Sequence, residues 1–159
     1  MMLPNFAESV KITKCYQGAA NAVDCDIINM EQFLHGAFVV VHTGSSDTDL
    51  VLTVTESDDV AGSNTSTIGS SCNIWVDTDM GTSSDTVAAT TAATGYTINT
   101  TAAGDREQMV IIEVDPAQLS EGYPCVYLAD SGGDASNTVT ILFLGVPRYS
   151  GATLPTAIA

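Results

Sequence analysis

Short apolar or alternating runs recur along the chain, separated by clusters of Gly, Ser, Asp and Asn. Leu50-Val-Leu-Thr-Val-Thr55 sets Leu50, Leu52 and Val54 on one side of an extended backbone and Val51, Thr53 and Thr55 on the other. That period of two is the mark of a strand with two different environments. Residues 72–77 repeat it, with Cys72, Ile74 and Val76 against Asn73, Trp75 and Asp77. Residues 10–16, 25–30, 36–43, 96–100, 109–114, 124–129 and 137–146 bring the total to about nine runs of strand length. The segments between them, such as Gly44-Ser-Ser-Asp47, Gly62-Ser-Asn64 and Ser131-Gly-Gly-Asp134, favour turns through glycine freedom and Asx-type bonding. Helix is scarce. Asp115-Pro-Ala-Gln-Leu119 predicts a single turn, with Asp115 as cap and Pro116 in the first helical position. Residues 29–34 suit another turn, and the Thr/Ala-rich stretch 87–94 reads as strand or loop.

Many short strands joined by polar turns predict an all-β fold, an antiparallel β-sandwich of about eight to nine strands, jelly-roll-like or immunoglobulin-like. One domain, residues 10–146, is flanked by an N-terminal arm (1–9) and a C-terminal arm (147–159). The arms lack a period and contain prolines, as solvated tails do. They nevertheless carry Leu3, Phe6, Tyr149, Leu154 and Ile158, which suits extended arms packed on neighbouring subunits. Residues 37–41, 109–112 and 141–144 are apolar on both faces. In a lone sandwich one face of each strand meets water. Either these strands are central and covered by loops, or a partner covers their outer face.

Composition narrows the functions open to such a fold. Of 159 residues, 45% are apolar and 14% charged, enough apolar material for one core. Nineteen Asp and Glu stand against four Lys and Arg, a net charge of -15. Four cations cannot replace the counterions of a phosphate backbone, which excludes nucleic acid as a partner and disfavours an anionic membrane. No run reaches the ~20 apolar residues of a membrane span, and Met1–Phe6 lacks the basic start and apolar core of a signal peptide. A soluble protein made in a cytoplasm is expected. Cys15, Cys25, Cys72 and Cys125 are too sparse for a secreted disulfide framework and read as reduced, mostly buried side chains. A Cys15–Cys25 bridge is the alternative.

Chemistry-bearing patterns are few, and no cofactor is implied. His35 and His42 are seven positions apart and face opposite ways on an extended chain. The chain contains no HExxH, GxSxG or phosphate-cradling loop. The 19 acids include the pairs Asp24/Asp26, Asp47/Asp49 and Asp77/Asp79. Asp77-Thr-Asp79-Met-Gly-Thr-Ser-Ser-Asp85 has the oxygens and glycine of a calcium loop's front half, with Gly81 one position early and no closing Glu. Asp77, Asp79 and Asp85 are thus a calcium candidate to set against ordinary solvated turns.

The runs Glu107-Gln-Met-Val-Ile-Ile-Glu-Val-Asp-Pro-Ala-Gln-Leu119 and Asn137 to Val146, with the opening Leu3-Pro-Asn-Phe6 and the closing Pro147-Arg-Tyr-Ser150, resemble capsid decoration (cement) proteins of tailed bacteriophages. The resemblance implies a non-enzymatic all-β module made in the host cytoplasm and placed on the outer capsid surface of the virion. There it would clamp neighbouring major capsid protein subunits, often as a homotrimer. Leu3, Pro4, Asn5 and Phe6 in the leading arm, with Arg148 and Tyr149 behind the last strand, are the expected contact residues. Two other readings remain open. One is another virion β-protein, a tail-tube or head-fibre subunit. The other is a carbohydrate- or calcium-dependent binding module in which Trp75 and the tyrosines stack on sugars.

Overall fold

The computed structural model describes residues 9–44, 46–81, 86–100 and 107–148. These form β1 (Lys11–Ala19), β2 (Ile28–Asn29), β3 (Phe33–Thr43), β4 (Leu50–Ser57), β5 (Thr65–Thr67), β6 (Asn73–Asp77), β7 (Ala88–Ala89), β8 (Gly95–Ile98), β9 (Gln108–Val114), β10 (Cys125–Gly132) and β11 (Thr138–Pro147). Two single 3-10 turns, Met30–Gln32 and Pro116–Gln118, interrupt them. One sheet has six strands in the order β1-β11-β3-β9-β6-β7. The other has the order β2-β10-β4-β5, and β8 also pairs with β4. β5 takes Thr55–Ser57 and β8 takes Leu50–Thr53, so they share one edge of β4.

With the insertion β5–β7 set aside, the sheets read β1-β11-β3-β9 and β2-β10-β4-β8. The chain passes from one sheet to the other at nearly every connection, and every pairing is antiparallel. This is the jelly-roll order, which selects that sandwich over the immunoglobulin type. Short β5 and β7 raise the number of strands to eleven, above the eight to nine expected.

Alternation places the core between the sheets. Phe38, Val40, Val110, Ile112, Ile141 and Phe143 face Leu50, Leu52, Val54, Val126 and Leu128, all buried. Each such side chain contributes roughly 1.5–3 kcal/mol relative to exposure. The Phe143 ring meets Phe33 and Phe38 edge-on, with centroids 5.4 and 5.3 Å apart. Gly36 and Gly145 are register partners beneath these rings. A Cβ at Gly36 would collide with Phe143, and one at Gly145 with Phe33. The aromatic packing thus requires glycine at both positions.

The turn at Pro116 forms as expected and carries a capping box. Asp115 Oδ1 accepts the Ala117 N–H at 2.8 Å, while Gln118 Oε1 accepts the Asp115 N–H at 2.7 Å. Several elements differ from the sequence pattern, β3 starting at Phe33 and β10 running on to Gly132 among them. β1 runs on to Ala19 because Gln17, Gly18 and Ala19 keep pairing with β11. The run at 25–30 shortens to Ile28–Asn29, because the Asp26 N–H goes to the Cys15 carbonyl at 3.1 Å rather than to β10. β5 is wholly exposed Thr-Ser-Thr with no apolar alternation to announce it.

Candidate functional site

The three doubly apolar runs become β11, β3 and β9, adjacent strands in the middle of the six-stranded sheet. Register aligns their outward side chains into rows. One row runs Ile12, Leu144, Ala37, Glu113, Asn73, and the next Lys14, Leu142, Val39, Ile111, Trp75. A third runs Gln17, Thr140, Val41, Met109, Asp77. Leu142, Leu144, Val39, Val41, Met109 and Ile111 are partly exposed. At the margins Ile12 is 50%, Trp75 39% and Val146 40% exposed. Against a chain total of 19 acids, these rows carry two, Glu113 and Asp77, and Asp77 is itself buried.

The outward side of the other sheet is built differently. Thr53, Thr55, Ser57, Tyr127, Ala129 and Ser131 come from β4 and β10, with Val51 and Cys125 in the same rows and Thr65 and Thr67 from β5. Thr55 and Ser57 are buried and donate to the Thr53 and Asp59 carbonyls at 3.4 and 2.8 Å. Thr65 and Thr67 are exposed, with hydroxyls that water can satisfy, as a field of Leu, Ile, Val and Met cannot be. Contiguous apolar surface of this kind marks a contact site. The molecule therefore has a hydroxyl-bearing face and an apolar one, set by the same alternation that builds the core.

Of the residues singled out from sequence, Leu3, Pro4, Asn5, Phe6, Tyr149 and Asp85 lie outside the described residues. Arg148 is described. Its Nε donates to the Phe33 carbonyl and its backbone N–H to the Gln32 carbonyl, both at 2.9 Å. The side chain ties the end of β11 to the start of β3, and it rims an open cleft of about 490 Å³ with Glu31, Asp58, Leu119 and Tyr123. In the calcium candidate, Asp77 Oδ1 accepts the Asp79 N–H at 3.0 Å, an Asx turn. Among the described residues, no group of three or more His, Cys, Asp or Glu is arranged to hold a metal ion. His35 lies on the outward face opposite Val146, and His42 points into the core, as their spacing requires.

Electrostatic adjustments lie in turns and thiols rather than in a cleft with converging groups. Backbone and hydroxyl donors of Ser63 hold the Asp59 carboxyl below its ordinary value. Ser136 does the same for Asp134. Burial pushes the Cys72 thiol up to about 11. The buried Glu56 carboxylate accepts the Ser120 N–H at 2.9 Å, which ties the loop after the Pro116 turn to β4.

Sequence reasoning named contact residues on the arms and left the outer face of the doubly apolar strands as either loop-covered or partner-covered. The signal was present in the doubly apolar runs, but strand order was needed to see them join. Among the described residues, no helix is long and apolar enough to cross a membrane. In comparisons with protein-family models, curated proteins and solved structures, the chain matches none.

Proposed function

We propose that this is a structural virion protein that decorates the outer surface of a tailed-phage capsid and stabilises it by clamping neighbouring major capsid protein subunits. The observation that carries the reading is the apolar outward face of β11, β3 and β9 beside a hydroxyl-rich opposite face. A protein that covers another folded surface needs one face that gains by leaving water and one that does not. The surplus of acids outside the apolar rows keeps copies apart in solution and away from nucleic acid. Many copies, each bridging a subunit boundary, resist expansion through multivalent linkage even where each contact is weak. The arms, 1–9 and 147–159, extend the same grip, and self-association as a trimer fits a threefold position. Catalysis is not part of this reading.

The test is reconstitution. Purified protein added to shells lacking it is expected to bind saturably and to raise their resistance to heat and osmotic shock. Cryo-microscopy of the particle is expected to find the six-stranded sheet against capsid subunits. Virions without the protein, or stripped shells as resistant as decorated ones, would overturn the reading. Assembly of the purified protein into rings or tubes would point instead to a tail-tube role.

A further inference from the structure

Cys15 occupies a bulge in β1. Lys14 pairs with Leu142 and Tyr16 with the next residue, Ile141, so Cys15 is the extra residue. A bulge re-aims a side chain, and here the thiol turns into the core. The Cys15 carbonyl accepts the Asp26 N–H at 3.1 Å. That bond lays the segment preceding β2 alongside the bulge and brings Cys25 beside Cys15. Both side chains are buried, Cys15 Sγ donating to the Thr13 carbonyl at 3.9 Å and Cys25 Sγ to the Asp26 carbonyl at 3.6 Å. Each thiol shifts the ionisation of the other. Since β1 edges one sheet and β2 the other, the pair sits where the open edges of the sandwich meet.

Cys25 also has a route to solvent. It lines an open cleft of about 450 Å³ whose wall includes Asp24, Asp26 and Asp130. The Cys15 thiol and the Leu128 N–H favour a thiolate on Cys25 and hold it below the ordinary thiol value. The Cys25 partner and burial push Cys15 up. Cys25 is thus the thiol that ionises first and, although only 6% exposed, the one cysteine that lines this cleft. Cys72 and Cys125 are buried and raised by desolvation.

We propose that Cys15 and Cys25 form a dithiol site that closes to a disulfide by exchange with a small neutral or cationic organic disulfide entering through this cleft. Cys25 loses its proton to solvent, and the thiolate attacks one sulfur of RSSR. A Cys25–S–S–R bond forms and RS⁻ leaves. Cys15 then gives its proton to that RS⁻ and attacks the Cys25 sulfur. The second RS⁻ departs and takes a proton from solvent. Two protein thiols and one RSSR become one protein disulfide and two RSH, with two electrons passing to the small disulfide. The bridge would staple the two sheets at their open edge and anchor the strand that leads into residues 1–9. The inference stands on the bulge at Cys15, the backbone bond that holds Asp26 to it and the cleft at Cys25, and is independent of what the protein binds.

Incubating the native, reduced protein with cystamine tests it. The expected result is a fall from four free thiols to two, a mass lower by two hydrogens, and one cross-linked peptide joining Cys15 to Cys25. Thermal denaturation of the oxidised form is expected about 5 °C or more higher, since the bridge restricts the unfolded chain. Glutathione disulfide, which is anionic, is expected to react more slowly against the acidic wall. Cys15→Ser is expected to stop at a cystamine adduct on Cys25. Four thiols persisting in the wild type, a Cys25 adduct there that never resolves, or a cross-link to Cys72 or Cys125 would overturn the dithiol site. Equal rates with the two disulfides would overturn the cleft as its entrance.

Discussion

At the scale of single residues, the packing is sharpest where Phe143 lies against Phe33 and Phe38 over Gly36 and Gly145. Gly36→Ala is expected to destabilise the fold by about 1–3 kcal/mol, because the added methyl displaces a ring inside a filled core. Urea denaturation measures it as a lower midpoint at unchanged slope. Asp59 organises the loop between β4 and β5: Oδ1 accepts the N–H groups of Ala61 and Ser63 at 3.0 and 3.1 Å, and Oδ2 the Ser63 hydroxyl at 2.8 Å. These donors favour the charged carboxylate, so its folded value lies below the unfolded one. The stabilisation is therefore present above the unfolded value and is lost as pH falls through the lowered folded value. An NMR titration is expected to show Asp59 protonating at lower pH than free aspartate, with loss of the loop amide signatures in the same acid range. Gly36 and Asp59 differ in legibility. Asp59 sits in a turn cluster that sequence announces, whereas nothing local says that a phenylalanine from β11 will cover Gly36.

At the scale of elements, the Pro116 turn was readable almost to the atom. Asp115, Pro116 and Gln118 satisfy a local hydrogen-bonding rule, and the structure adds one long-range bond, Gln118 Nε2 to the Ser71 carbonyl at 2.8 Å. Asp115→Ala is expected to cost about 1 kcal/mol through the lost cap. Gln118→Ala removes both the return bond and the tie to Ser71 and is expected to cost at least as much. Chemical denaturation of the two variants ranks them. Strands followed the same division. Those with apolar alternation, β4, β6, β9 and β11, were legible. β5 was not, and β2 and β7 were marked only as a longer run at 25–30 and an ambiguous stretch at 87–94, because hydrogen bonding to a distant neighbour sets the bounds of these short strands. The β1 bulge belongs with these: a single misfit of register against β11 turns Cys15 inward, and no local pattern encodes it.

For the whole molecule, the arrangement that matters is the sidedness of the sandwich. The apolar rows on β11, β3 and β9 end at Trp75 on β6, a partly exposed aromatic of the type that dominates contact energies. Trp75→Ala is expected to weaken binding to capsid shells by roughly 30-fold or more, the loss of a hot-spot side chain. Fold stability is expected to change by less than about 1 kcal/mol, since the ring is not in the core. A pull-down or calorimetric titration against shells measures the first, and urea denaturation the second. A large loss of stability without loss of binding would place Trp75 among structural residues. Sequence assigned the contacts to the arms, and Arg148, the one such residue described, braces β11 against β3.

Sequence alone determined the layer architecture, because burial between two sheets imposes a period of two that survives in any strand order. It also determined the turn chemistry and the strongly acidic net charge, since caps are local and net charge is a sum over residues. Tertiary structure decided which strands are neighbours. It thereby selected the jelly-roll order, gathered three separate apolar runs into one outward face, and set Cys15 beside Cys25. Each of these depends on pairing between residues far apart in the chain. Such pairing is governed by the closing of long loops and the packing of a shared core, quantities that no single segment contains.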